Sequence, residues 1–268
     1  MKRIINFCPT GTQTTRENSL APLTPNEIIE EVHQAYELGI TLVHIHARDE
    51  ILKNSYKSIH YRTIIEGIRK HCSDLSICVS LTGRLFPEFE KRSEVLELKP
   101  DMGSLTMSSI NFTSGSSINS PDMILKLIDK MNSLNVIPEI ECFDSGMINY
   151  ANYLIKKGVL KPPHYFNVIF GNMFNMQSDL QSISSVLSNI NKESTVCFGG
   201  IGSDQLKCNI LGLLYTDGIR VGLEDNLYYR DKNKATNKSL LIRIHNIMNE
   251  LGMKVMSPSD FKHDILKK

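Results

Sequence analysis

Residues 41–50 read TLVHIHARDE. Up to Ala47 the run is mostly apolar and β-branched, the composition of a buried strand, yet it carries His44 and His46 two apart and then Arg48 and Asp49. Side chains of a strand alternate between its faces, so residues two apart point the same way. One strand therefore presents both imidazoles to one site.

Seven other short apolar runs bounded by turn residues are strand candidates: RIINF (3–7), SICVSL (76–81), GSLTM (103–107), VIPEIECF (136–143), YFNVIFG (165–171), TVCFGGI (195–201) and GIRVGL (218–223). Helical periodicity fills the segments between them. In the first helix Thr24 is the N-cap, Pro25 takes the first helical position, Glu27 completes a capping box, Ile28, Val32 and Tyr36 share one stripe, and Gly39 ends it. Further helices are expected at 87–98, 120–134, 148–157, 178–190, 204–215 and 238–251, with a weaker one near 60–71. Eight strands, each followed by a helix, in about 250 residues have the dimensions of a (β/α)8 TIM barrel. An open doubly wound sheet gives the same alternation. The barrel is the expectation, as a single α/β domain over residues 1–268.

The formal net charge is +1, with acidic and basic residues spread along the chain. That leaves no electrostatic footprint for nucleic acid or an anionic membrane, and points to small-molecule partners. No apolar run approaches the roughly 20 residues that span a bilayer, and MKRIINFCPT breaks at a proline too early for a secretory signal. The six cysteines lack CxxC spacing and several sit in apolar strand-like runs, as reduced structural thiols do. A cytoplasmic protein is expected.

Barrel catalysts come from the C-terminal ends of strands and the loops beyond them. Here those positions hold Thr10 and Gln13, then His44, His46 and Arg48, then Ser80 and Arg84, then Ser104 and Thr106. Around the second half follow Glu139, Glu141 and Asp144, Asn167 and Asn172, the glycines of FGGIG, and finally Arg220, Glu224 and Asp225.

Two histidines on one strand face are half of a metal site or a hydrogen-bonded core pair. Glu224, just past the last strand, is the best third ligand, because two histidines and one carboxylate leave the open position of a catalytic zinc. It meets the histidines only if the barrel closes. GIRVGLEDN sets Arg220, Glu224 and Asp225 within six residues, and both carboxylates reach one site only if the strand has ended before them. One carboxylate on the metal, the other as general base, and the arginine on an anion is one division of labour; a solvated ion pair is the other. Glu139 and Glu141 face the same side of their strand; an inward carboxylate pair requires a cation or a shared proton, and the alternative is that this polar face lies at the barrel mouth. Gly199, Gly200 and Gly202 are candidates to cradle a cofactor phosphate, although tight strand-to-helix packing accounts for them too.

In order and spacing, PTGTQTTREN, LTPNEIIEE, LVHIHARD, PDMGSLTMSSINF, VIPEIECFDSGM and IRVGLEDN resemble the β-keto acid cleavage enzymes, from the first strand to the last helix. The resemblance implies a zinc-dependent barrel, homo-oligomeric and tetrameric, that condenses a β-keto acid with acetyl-CoA and releases acetoacetate and a new acyl-CoA. It implies one zinc on His44, His46 and Glu224, with Ser80, Glu141, Arg220 and Asp225 as catalytic groups and Asp225 as the base that removes the α-proton. Gln13, Arg84, Ser104 and Thr106 are the expected substrate contacts. The aminohexanoate-cleaving member has a glutamate where this chain has Gln13 and a small residue where it has Arg84, and Ser203 stands where relatives carry a basic residue. A neutral or anionic substrate tail is therefore expected, rather than an ammonium. A metal-dependent lyase or hydrolase that needs no CoA would use the same zinc, base and arginine, and a metal-stabilised binding barrel without turnover is the non-enzymatic alternative.

Overall fold

The computed structural model describes residues 1–268. Its parallel strands are β1 Lys2–Phe7, β2 Leu42–Ile45, β3 Ser76–Val79, β4 Met102–Thr106, β5 Ile137–Cys142, β6 Tyr165–Phe170, β7 Thr195–Gly200 and β8 Gly218–Val221, paired in chain order. β8 returns to β1, with Ile4 opposite Gly218 and Phe7 opposite Val221. The sheet is thus a closed barrel, which leaves none of the unpaired edges of a doubly wound sheet. Around it lie α1 Pro25–Leu38, α2 Ser58–His71, α3 Phe89–Ser93, α4 Pro121–Leu134, α5 Ser145–Lys156, α6 Leu180–Asn189, α7 Asp204–Tyr215 and α8 Asn237–Glu250.

Local chemistry sets these boundaries. The Thr24 hydroxyl accepts from the Glu27 N–H, the Glu27 carboxylate accepts from the Leu23 and Thr24 N–H groups, and Gly39 ends α1 at φ 98°. At α4 the Ser120 hydroxyl accepts from the Met123 N–H and Pro121 takes the first helical position.

Alternation along the strands divides the apolar residues between two places. Ile5, Phe7, Val43, Ile45, Ile77, Val79 and Phe198 face outward into the main core under the helices. Ile4, Leu42, Cys78, Met102, Tyr165 and Cys197 face inward and fill the N-terminal end of the lumen. Phe261 and Leu266, from the segment after α8, close that end, with the Phe261 ring edge-on to Tyr165 at 5.7 Å. Each such buried side chain contributes about 1.5–3 kcal/mol. Above this floor the inward positions turn polar: Asn6, His44, Glu139, Asn167 and Arg220 are all buried.

The departures from expectation lie in short segments. The second strand ends at Ile45 rather than Ala47, because Ala47–Arg48 pairs antiparallel with Asn54–Ser55. The expected helix 87–98 is α3 followed by a tighter 3-10 turn over Glu94–Leu98. Hairpins Ile110–Phe112/Gly115–Ser117 and Tyr228–Arg230/Asn233–Lys234 stand in the loops after β4 and β8. Asp144, among the polar residues following the fifth strand, is the N-cap of α5 and accepts from the Met147 N–H at 2.9 Å. No helix is long and apolar enough to cross a membrane.

Candidate active site

Register decides which inward side chains share a level. β4 to β6 set Thr106 beside Glu141 and Asn167 beside Glu141 in adjacent strands. One level down is Glu139, fully buried, which accepts from Asn6 Nδ2 at 2.6 Å, His44 Nδ1 at 2.7 Å, Asn167 Nδ2 at 3.1 Å and Cys78 Sγ at 3.2 Å. Burial alone would raise its pKa, but His44, the Arg220 charge and the Cys78 thiol hold it down at about 2. A carboxylate so surrounded is an anchor for His44.

With Nδ1 committed to Glu139, His44 turns Nε2 toward the mouth of the barrel. There Glu224 Oε1 lies 3.1 Å from His46 Nε2, and Glu224 Oε2 lies 3.9 Å from His44 Nε2. His44 Nε2 and Glu224 Oε2 are buried with no hydrogen-bond partner, and one ligand atom from each of the three residues falls within 4.8 Å of the others. Two orphaned buried atoms in a set of two imidazoles and a carboxylate fit a divalent ion of the zinc type, with coordination positions left for a ligand.

Gly222 brings Glu224 and Asp225 to the same side. β8 ends at Val221, and Gly222 stands at φ 152°, where a Cβ would lie 2.0 Å from the Cys8 carbonyl oxygen. Only glycine permits that approach, and the chain turns there. Asp225 then meets the fully buried Arg220, whose Nε donates to Oδ2 at 2.7 Å and Nη2 to Oδ1 at 3.3 Å. Arg220 also reaches Glu224 at 2.8 Å and Glu141 at 3.3 Å. Burial pushes Asp225 above the usual aspartate range against the pull of Arg220, and it lifts Glu141 to about 7. Both are stronger bases than their free counterparts.

These groups line one cavity of about 400 Å³ together with Ser80, Thr106, Gln13 and Arg84. The Ser80 side chain faces it from the end of β3, and Thr106 Oγ1 donates to Glu141 Oε2 at 3.0 Å. Gln13 is exposed at the rim, while Arg84 crosses the mouth between Thr12 and Phe112.

A family model described as beta-keto acid cleavage enzyme matches residues 2–266. The chain belongs to that family. It is 29% identical over 262 residues to the 3-keto-5-aminohexanoate cleavage enzyme of Acetoanaerobium sticklandii, covering 97% of this chain and 96% of that one. It is 31% identical over 257 residues to the 3-oxoadipate:acetyl-CoA acetyltransferase of Cupriavidus necator, covering 94% and 90%. Among solved structures, a ternary complex of ObcA with a C4-CoA adduct and oxalate superposes with TM-score 0.78 at 18% identity, covering 91% of this chain and 67% of that one, a likeness of fold.

Two sequence-based expectations for this β-keto acid cleavage enzyme meet other settings in the structure. Ser104 does not reach the cavity wall, because its hydroxyl accepts from the Leu81 N–H at 3.0 Å and ties β4 to the end of β3. The FGGIG glycines have packing roles in the structure. Gly199 makes room for the Arg220 stem, and a Cβ on Gly200 would strike the first turn of α7 at 2.7 Å. The N–H groups of Ile201, Gly202, Asp204 and Gln205 are already bonded to carbonyls within the protein. The Gly202 N–H donates to the Asp225 carbonyl at 2.7 Å, so this loop positions the carboxylate. Glu139 was read only as half of an inward pair with Glu141. The two part company, Glu139 going to His44 and Glu141 to Arg220. Cys78 reads in sequence only as a structural thiol, and for Asn6 the available signal is a polar residue at the inward position of an otherwise apolar strand.

Proposed function

We propose that this enzyme transfers the acyl part of a β-keto acid to CoA, using acetyl-CoA as co-substrate and releasing acetoacetate. The observation that carries the reading is the Arg220–Asp225 pair set beside the His44, His46 and Glu224 donors in one cavity. A zinc ion on those three residues would act as a Lewis acid toward the keto acid and make its α-proton more acidic. Asp225, held by two hydrogen bonds from Arg220, accepts that proton. The carbanion attacks the thioester carbonyl and CoA leaves as thiolate. The thiolate adds to the original keto carbon, the bond between that carbon and the former α-carbon breaks, and Asp225 returns the proton to the departing acetoacetate. Ser80 donates to an oxygen on which charge develops, Glu141, which accepts from Thr106 and Arg220, holds the arginine in place, and burial of Arg220 keeps its charge from being screened by water.

The co-substrate draws support from the family and from relatives named for acetyl-CoA transfer. A homo-oligomer in the cytoplasm belongs to the same reading, and the six free, buried cysteines suit a reducing compartment. The test is incubation of the metal-loaded enzyme with a panel of β-keto acids, with and without acetyl-CoA, followed by mass analysis. Acetoacetate and a new acyl-CoA, formed in equal amounts and only with acetyl-CoA present, are expected. Cleavage that proceeds without acetyl-CoA makes the enzyme a lyase or hydrolase instead.

A further inference from the structure

The cavity holds two arginines in opposite circumstances. Arg220 is matched by three carboxylates, those of Glu141, Glu224 and Asp225. Arg84 has no acidic side chain within ion-pairing distance. Its Nη1 donates to the Thr12 hydroxyl at 2.8 Å, its guanidinium carbon lies 3.5 Å from the centre of the Phe112 ring, and its Nε is buried with no partner at all. A partly buried guanidinium that meets only a hydroxyl and a ring face is short of an anion.

Its position is fixed before any ligand arrives. Arg84 follows Gly83, where a Cβ would meet Arg92 Nη1 at 2.8 Å and the Ile118 carbonyl oxygen at 2.9 Å. Arg92, itself buried, donates to the Leu81 and Ile118 carbonyls and to Asn119 Oδ1, which fastens the loop after β3 to the hairpin loop after β4 that carries Phe112. The Phe112 ring packs against the guanidinium, and Nε is left without a partner.

Resting on the transfer reaction proposed above, we propose that Arg84 is the receptor for a second carboxylate, at the far end of the substrate, and that the enzyme acts on β-keto dicarboxylates. The phosphates of CoA are not the anion meant here. They sit a whole pantetheine arm from the thioester, whereas Arg84 lines the same cavity as Glu224 and Asp225. Gln13 at the rim brings no negative charge to oppose a carboxylate.

The test compares 3-oxoadipate with 3-oxohexanoate, which has a methyl group where the diacid has its second carboxylate. Binding to the metal-loaded enzyme is measured by calorimetry without acetyl-CoA, and turnover is measured with it. The diacid is expected to bind more tightly and to have the higher kcat/KM, by on the order of tenfold to a hundredfold, as for a hydrogen-bonded charge pair. Arg84→Met is expected to erase that ratio, and Arg84→Lys, which keeps the charge without the planar fork, to restore part of it. Equal or weaker binding of the diacid by the wild-type enzyme overturns the inference without any variant. So does an Arg84→Met protein that keeps the ratio, or one whose defect falls on the KM for acetyl-CoA. If the diacid binds preferentially but no acyl-CoA forms, the carboxylate site stands and the transfer reaction is what fails.

Discussion

Glu139 Oε2 accepts the Nδ1 proton of His44 at 2.7 Å, and that one bond decides which nitrogen of His44 faces Glu224. Removing the negative charge while keeping the shape tests its role. Glu139→Gln is expected to fold but to hold zinc roughly 10- to 100-fold more weakly, the usual effect of losing a carboxylate behind a ligating histidine. Competition with a chromophoric chelator reads this out. An unchanged affinity would mean that Glu139 serves only the stability of the lumen.

Metal content itself is the next prediction. His44, His46 and Glu224 offer one site, so purified protein is expected to carry about one zinc per chain. Elemental analysis of His44→Ala and His46→Ala should find it largely gone. Folded variants that retain the wild-type amount would move the site elsewhere.

Asp225 is predicted to act on the substrate rather than on the metal. Asp225→Asn keeps a polar group opposite Arg220, so zinc should remain while turnover falls by roughly 10²-fold or more. Exchange of the substrate α-proton with heavy water should fall in parallel. Fast exchange in this variant would transfer the role of base to Glu141.

The capping box of α1 gives a prediction in pH. Burial acts to raise Glu27, but the Leu23 and Thr24 N–H groups and the Arg16 guanidinium outweigh it and bring the carboxyl down to about 2. A depressed carboxyl stabilises the fold above its unfolded pKa, near 4.5, and that contribution fades as pH falls from there toward 2. Urea titrations of wild type and Glu27→Gln should therefore differ at pH 7 and converge in that acid window. Thr24→Ala, which removes the other half of the box, should cost about 1 kcal/mol at pH 7. A Glu27→Gln gap of constant size down to pH 2 would assign the effect to packing.

How far the sequence could be read depended on the length of each signal. Val43 and Ile45 alternate with Leu42 and His44, and such runs repeat often enough to count eight strands. The capping box at Thr24 and the turn at Gly39 were legible because local hydrogen bonds create them. Ala47–Arg48 and the hairpin at Ile110–Phe112 were not, since two or three residues carry no period. His44, His46, Glu224, Asp225 and Arg220 stood out by residue type in a place where barrels do chemistry. The partnership of His44 with Glu139, 95 positions apart, was invisible, because it depends on barrel closure and strand register rather than on either motif. Gly199 and Gly200 are ambiguous for the reverse reason, since a glycine looks the same whether it admits a phosphate, an arginine stem or the turn of a helix.

The floor of the lumen bears on how the protein is made. Phe261 and Leu266 seal it, yet they follow all eight strands in the chain. The strands precede this segment in synthesis, so a barrel formed without it would stand open to water at its lower end. In such a barrel Cys78 and Cys197 would line a wet shaft instead of a dry core, and Glu139 would lose part of the dry surroundings that strengthen its hold on His44. The active centre is therefore finished from below, by residues that never touch the substrate.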